Sequence, residues 1–307
     1  MQRNLVIIPF AYLKGAKTGA NLKRKDNPVD IYMKNVVVST VSCKRIMGGV
    51  DVALITNLDE IGDEYQSVLD REQVKVIYCP FDSFKFSDDY PWCLAFYKLC
   101  ALKYVSDLEY DNILCIDSDT YTHKSFEYLW DNLRRNIIAF DLAGSTVEPF
   151  GSLTNLPFVR RLYNKRVPKV GGEFLAASRI SLKEFIDRAQ RIFETMKTEA
   201  ILSKTGDEYI TSLALGCMYN VDYSGVRYIF RFWTGFWRDI CNRGQLSVTP
   251  ILHVPGNKKD GMIKLYNFFI RHNDFPPEQK MYKWFHFHHR TLKHFLLAIF
   301  KGTVFWQ

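Results

Sequence analysis

Tyr110-Asp-Asn-Ile-Leu-Cys-Ile-Asp117-Ser-Asp119-Thr120 is a short apolar run that ends in two aspartates one residue apart. Four apolar residues, Ile113 to Ile116, are the length of a buried strand rather than of a helix. In extended backbone residues i and i+2 point to the same side, so Asp117 and Asp119 aim two carboxylates at one point where the strand leaves the core. Two converging hard oxygens suit Mg²⁺ or Mn²⁺ shared with a phosphate. The competing reading is a polar turn, because aspartate side chains also bond nearby backbone amides.

Working outward, strands and helices alternate. Leu5–Phe10 reads as a strand, and Tyr32–Met47 carries a helical apolar period stopped by Gly48-Gly49. Val52–Thr56 and Val74–Cys79 follow as strands. Pro91–Val105 reads as a helix capped by Asp88 and Asp89, and Ser125–Asn132 as a short helix. This alternation predicts an α/β fold with a central, mostly parallel sheet flanked by helices. Ligands of such sheets bind beyond the carboxyl ends of the strands, which is where Asp117 and Asp119 fall.

The second half is less regular. Thr146–Lys169 holds Gly, Pro and the cations Arg160, Arg161, Lys165, Arg166 and Lys169, and reads as a long loop. Val170–Ala177 is a buried strand opened by two glycines. Helices follow over Leu182–Met196 and from Asp207 to Leu215, the latter with two acids in its first turn, where the dipole favours them. Tyr228–Trp237 is dominated by aromatic residues, and Val248–Val254 returns to strand. It leads into Ile251-Leu-His253-Val-Pro-Gly256-Asn-Lys258-Lys259, a histidine followed by a glycine turn and two lysines. The glycine permits close backbone approach and the lysines carry charge suited to a diphosphate. A structural histidine and a solvated lysine turn are the alternatives.

Composition bounds the rest. The chain has 307 residues, 47% hydrophobic and 24% charged, which excludes a disordered protein and allows a sizeable core. Cysteines 43, 79, 93, 100, 115, 217 and 241 are scattered without a C-x-x-C pair, and they predict buried free thiols in a reducing compartment. The apolar run at the N-terminus is too short for a signal peptide, and no segment has the roughly 20 apolar residues of a spanning helix. A cytoplasmic location, peripheral at the inner membrane face, is therefore expected. The formal charge of +8 fits nucleic acid, an anionic membrane or a phosphorylated substrate. No recognised RNA or DNA module accompanies the charge, so nucleic acid is not an expected partner. Gly15, Lys17 and Gly19 only faintly resemble the phosphate loop of a nucleotidyltransferase.

Taken in order, Phe96-Tyr-Lys98-Leu, Ile116-Asp117-Ser-Asp119-Thr120, Val170-Gly171-Gly172-Glu173-Phe174, Gly206-Asp207-Glu208-Tyr209 and His253-Val-Pro-Gly256-Asn-Lys258 resemble the segments of a metal-dependent glycosyltransferase. The resemblance is to the GT-A fold, a Rossmann-like nucleotide-sugar-binding architecture. Within it the match is to the family 8-like group of glycogenin and bacterial lipopolysaccharide galactosyltransferases, over roughly residues 1–265. It implies that Asp117, Asp119 and His253 hold Mn²⁺ (or Mg²⁺) against the diphosphate of a nucleotide-sugar, with a UDP-linked donor expected, and that Asp117 also reaches the ribose. Lys258, backed by Gly256, contacts the diphosphate, and Lys98 lies near the donor phosphate or sugar. Gly171, Gly172 and Glu173 form the sugar-binding strand, and Asp207 and Glu208 stand beside the reacting carbon. Tyr12 matches a position whose tyrosine stacks on the base, with an ordinary loop tyrosine as the alternative. Retention at the anomeric carbon and a glycan or lipid-linked saccharide acceptor are further implications. The family commonly has Asn-x-Gly where this chain has Gly171-Gly172-Glu173, and Asp-Gln where it has Asp207-Glu208, departures that bear on the sugar rather than on the reaction class.

Residues 266–307 form a basic, aromatic extension for which a helical tail is expected. Leu292, Phe295, Leu296, Ile299 and Phe300 recur at helical spacing beside Lys293 and His294. Such a helix suits an anionic membrane surface, contacted through residues 280–307, or docks on the core. A zinc site from His286, His288, His289 and His294 is a further reading. A noncatalytic basic protein that binds nucleic acid or membrane is the rival of a different class.

Overall fold

The computed structural model describes residues 2–14, 27–87, 90, 92–162, 166–201, 206–232, 246 and 248–287, together with 292, 296, 299 and 300. Gly15, Lys17, Gly19, Asp88, Asp89, Lys165, Cys241, His288, His289, Lys293, His294 and Phe295 lie outside the described residues.

Strand β1 (Asn4–Phe10) is central, between β2 (Asp51–Thr56) and β4 (Asn112–Ile116), and β3 (Lys75–Tyr78) extends the sheet beyond β2. These four strands are all parallel. Beyond β4 come β7 (Val167–Ser178), β6 (Ile137–Val147) and β8 (Val221–Asp222), with β7 antiparallel to both its neighbours. The strands alternate strictly between two cores. Leu5, Ile7, Ala53, Ile55, Ile113 and Cys115 enter one, while Val6, Ile8, Val52, Leu54, Leu114 and Ile116 enter the other. A sheet buried on both faces needs apolar residues at successive positions, and that is why Ile113–Ile116 is an unbroken apolar run.

On one face lie α3 (Tyr97–Ser106), α6 (Arg179–Thr198) and α7 (Asp207–Gly216). The other carries α1 (Pro28–Ile46) and α2 (Asp63–Arg71), with α8 (Gly261–His272) packed on α1. Helix α1 starts four residues before the predicted Tyr32, because Asn27 caps it through Asp30 N and Pro28 occupies the first turn. Its β-branched run Val36–Val38 stays helical because all three side chains are buried, so packing overrides propensity.

Helix α3 begins later than predicted. Cys93–Phe96 is a 3₁₀ turn, preceded by Trp92 in the left-handed region at φ 65°. The predicted loop over Thr146–Lys169 is corrected on both sides. Strand β6 runs to Val147 and β7 starts at Val167, with a 3₁₀ turn (Gly151–Asn155) and a short helix α5 (Pro157–Arg160) between them. Residues 143–146 of β6 are exposed before Val147 returns to the core, so pairing with β7 carries this stretch in the sheet and no apolar period marks it.

A second, three-stranded sheet joins β5 (Thr120–Thr122), β10 (Ile251–His253) and β9 (Ile229–Arg231) in the order β5-β10-β9. The acidic pair is thus the link between the two sheets. Helices α4 (Tyr128–Leu133) and α9 (Glu278–Trp284) complete the elements named here. Within the expected tail, Met281, Phe285 and Phe287 are buried in the same core as α1 and α8, so this portion docks on the protein. His286 pairs with Asp260 at 2.7 Å. The six described cysteines are buried and free, as predicted. Among the described residues no helix is long and apolar enough to cross a membrane.

Candidate functional site

Segments from distant parts of the chain meet at the carboxyl end of β4, where Asp119 and His253, 134 positions apart, come together. The Asp117 amide bonds the Glu173 carbonyl as β4 leaves β7, which fixes where its side chain emerges. Thr120 Oγ1 donates to the Asp117 carbonyl at 2.8 Å and shares a 2.7 Å hydrogen bond with Ser39 of α1, closing the Asp-x-Asp turn. His253 stands opposite Thr120 in the β5–β10 register, and the Val254 amide bonds the Asp119 carbonyl at 3.0 Å. The result is a cluster in which one ligand atom each from Asp117, Asp119 and His253 lies within 4.8 Å of the others. His253 Nε2 is 3.3 Å from Asp119 Oδ1 and 3.6 Å from Asp117 Oδ2.

The cations are ordered around this cluster. Lys258 Nζ lies 3.2 Å from Asp119 Oδ2, while the Lys258 carbonyl accepts from Asn35 of α1. Lys98, in the first turn of α3, sits 2.6 Å from Asp117 Oδ1 and 3.8 Å from Asp207 Oδ2, and also donates to the Gly172 carbonyl. Gly172 is required for that approach: a Cβ there would stand 2.8 Å from Lys98 Nζ and 3.0 Å from Asp207 Oδ2. A Cβ on Gly171 would fall 2.2 Å from Glu173 Oε2. Asp207 opens α7 behind Gly206, whose φ of 58° favours glycine.

Burial and charge set the protonation of these groups. Burial alone would raise the Asp119 carboxyl, but Lys258 and His253 outweigh it and hold it well below the usual carboxylate range. Burial would also lower His253, yet Asp119 and Glu173 raise it to about 9. Lys98 and Lys258 are likewise held above the ordinary lysine value by their carboxylate neighbours, against burial. For Asp207 burial wins: Lys98 pulls the carboxyl down, but burial, Glu208 and Asp117 leave it raised to about 7.

The residues present fit a hard divalent cation. Two carboxylates and an imidazole converge, and Asp119 Oδ2, although buried, makes no hydrogen bond of good geometry even with Lys258 beside it. Glu173 Oε1, Asp207 Oδ2 and His253 Nδ1 are also buried without a hydrogen bond in the same cluster, and each such atom calls for a partner.

Sequence comparison matches no known family model and no curated protein. Structural comparison does find likeness. The apo structure of the bifunctional glycosyltransferase WbbM aligns over 92% of this chain at 13% identity and a TM-score of 0.55. The chain spans about half, 51%, of the length of that protein. This is the GT-A fold. The apo form of mouse xyloside xylosyltransferase 1 is also similar, covering 84% of this chain and 98% of its own at 12% identity and a TM-score of 0.48.

Two sequence-predicted positions stand apart from the cluster. Tyr12 exchanges two main-chain hydrogen bonds with the Asn57 side chain at the ends of β1 and β2. Gly256 lies exposed on the 3₁₀ turn that follows β10. Two cations were missed. Arg231, paired with His253 in the β9–β10 register, lies 3.4 Å from Glu173 and 3.9 Å from Glu208. Lys169 in β7 lies 2.9 Å from Glu208. The signal for Arg231 was a single cation between Phe230 and Phe232 in an apolar strand, whereas Lys169 was hidden in the predicted loop.

Proposed function

We propose that this protein is a metal-dependent glycosyltransferase of the family 8-like group, transferring a sugar from a nucleotide-sugar, UDP-linked, to a glycan or lipid-linked saccharide with retention. The observation that carries the reading is the convergence of Asp117, Asp119 and His253 at the carboxyl end of a parallel strand, with Lys258 beside them. A divalent ion held by these three residues, Mn²⁺ in the first instance, would supply Lewis-acid stabilisation of a leaving diphosphate. Lys258 adds a fixed positive charge to the same side of the site. Lys98 balances Asp117 and Asp207 and so keeps both carboxylates in place. Asp207 and Glu208, at the start of α7, offer carboxylates to a sugar carbon that becomes oxocarbenium-like as the bond to phosphate breaks. Gly171, Gly172 and Glu173 line the approach, with Gly256 and Tyr12 assigned to the phosphate and base ends of the donor.

The purified protein, incubated with Mn²⁺ and a panel of nucleotide-sugars, is expected to hydrolyse one of them slowly without an acceptor. No binding and no hydrolysis across the panel would leave the rival, a noncatalytic basic protein. The exposed apolar positions Leu292 (74%), Leu296 (45%), Ile299 (44%) and Phe300 (86%) support contact with an anionic membrane through the end of the chain. A chain ending at Phe287 should then partition less onto phosphatidylserine vesicles; unchanged partitioning removes this part of the reading.

A further inference from the structure

His253 can serve as a ligand through Nε2 only if its other ring nitrogen carries the proton, and one group in the fold stands ready to enforce that. Glu173 Oε1 faces His253 Nδ1 at 3.6 Å. Both residues are buried, and both of these atoms are without a hydrogen bond. They come from different sheets, β7 of the large sheet and β10 of the small one, so only the tertiary structure brings them together. Arg231 Nε lies 3.4 Å from the same Glu173 oxygen, so the cation and the imidazole share one carboxylate oxygen. The register of β9 on β10 puts Arg231 directly beside His253.

From this geometry we infer that Glu173 is a positioning residue for the cation site: it takes the Nδ1–H of His253, fixes the ring, and leaves Nε2 aimed at Asp117 and Asp119. The inference rests on the metal-dependent reading above and gives Glu173 a role other than contact with the donor sugar. A carboxylate on the far nitrogen of a ligand histidine orients the ring and raises its basicity, and its loss typically weakens metal affinity about 10–100-fold. Gly171 belongs to the same device, because a side chain there would collide with the Glu173 carboxylate. Arg231 bridges the device to α7, with Nε on the Glu173 carboxylate and its other end 3.9 Å from Glu208.

The test is Mn²⁺ binding to the full chain without any nucleotide, read as the loss of the free Mn²⁺ signal in electron paramagnetic resonance. Glu173→Ala should weaken binding by about 10–100-fold, and Glu173→Gln, whose amide oxygen can still accept from Nδ1–H, by less than about tenfold. Thermal unfolding of each variant shows whether it is folded, and Glu173→Gln supplies the reading if Glu173→Ala is not. Wild-type affinity in Glu173→Ala, or an equal loss in both variants, would overturn the inference while leaving the cation site intact. Failure of the wild-type protein to bind Mn²⁺ would overturn the metal-dependent reading itself, and the inference with it.

Discussion

At the scale of single residues, the site is a set of charges that burial makes expensive and neighbours make tolerable. Asp119 is 2% exposed and stays ionised because Lys258 and His253 face it. Asp119→Asn removes one ligand oxygen and leaves two cations without their partner, so Mn²⁺ affinity should drop by more than the ~100-fold upper range for loss of a supporting group. The same free-Mn²⁺ titration measures it. Asp207 behaves in the opposite way. Its folded-state value of about 7 lies above its ordinary 3.8, so between those values the folded chain holds a proton that the unfolded chain has released. Stability therefore falls as pH rises through that window. Asp207→Asn should gain up to about 4 kcal/mol at pH 8, at about 1.4 kcal/mol for each pH unit between the two values, and little at pH 4, read as melting temperatures at the two pH values. Turnover should be lost at both. A melting temperature for Asp207→Asn that tracks wild type at every pH would mean that burial is not setting this carboxyl. Asp117 and Asp119 were legible because their spacing and the strand before them stand in ten consecutive residues. Arg231 was not, since its partners Glu173 and Glu208 are 58 and 23 positions away in a chain that places them 3.4 and 3.9 Å from it.

Among the elements, β7 decides the site more than any other. It pairs with β4 so that Glu173 sits beside Asp117, and Gly172 leaves room for α3 and α7 to bring Lys98 and Asp207 against it, while Gly171 leaves room for Glu173 itself. Gly172→Ala places a methyl 2.8 Å from Lys98 Nζ, the far end of a flexible side chain that can move aside. The fold should survive with a melting temperature within about 4 °C of wild type, while affinity for the nucleotide-sugar falls by roughly tenfold or more as Lys98 leaves Asp117. Calorimetric titration against the donor found in the panel checks this; unchanged affinity would show that the position of Lys98 is immaterial to binding. The sequence marks the glycines and the strand but not its length. The strand's first residues pair with the distal half of β6, and of these only Val167 and Val147 are buried, so neither stretch carries an apolar period.

At the scale of the molecule, the C-terminal segment through Phe287 is part of the core. Phe285 is fully buried, and Gly261 at the start of α8 leaves the space it fills: a Cβ there would lie 2.5 Å from its ring. Phe285→Ala should cost about 3–5 kcal/mol, read as a lower urea midpoint with an unchanged slope. A loss below about 1 kcal/mol would mean that α9 is held only loosely. The basic aromatic composition that led to a membrane reading for all of residues 280–307 therefore divides at Phe287. The portion before it has an apolar face because it is buried, and the exposed apolar residues lie beyond.

The sequence by itself determined the parallel half of the sheet, the acidic turn at its edge, and the histidine and lysine of the later turn. Each is a local pattern: an apolar run, a two-residue spacing, a strand that ends in a glycine turn. Tertiary structure alone decided which charges meet. The antiparallel insertion of β7 beside β4 brings Glu173 to the acidic turn, the starts of α3 and α7 add Lys98 and Asp207, and the small sheet carries His253 and Arg231 in from the far end of the chain. A buried charge is tolerable only with its partners in place, and those partners come from distant positions that no local pattern connects.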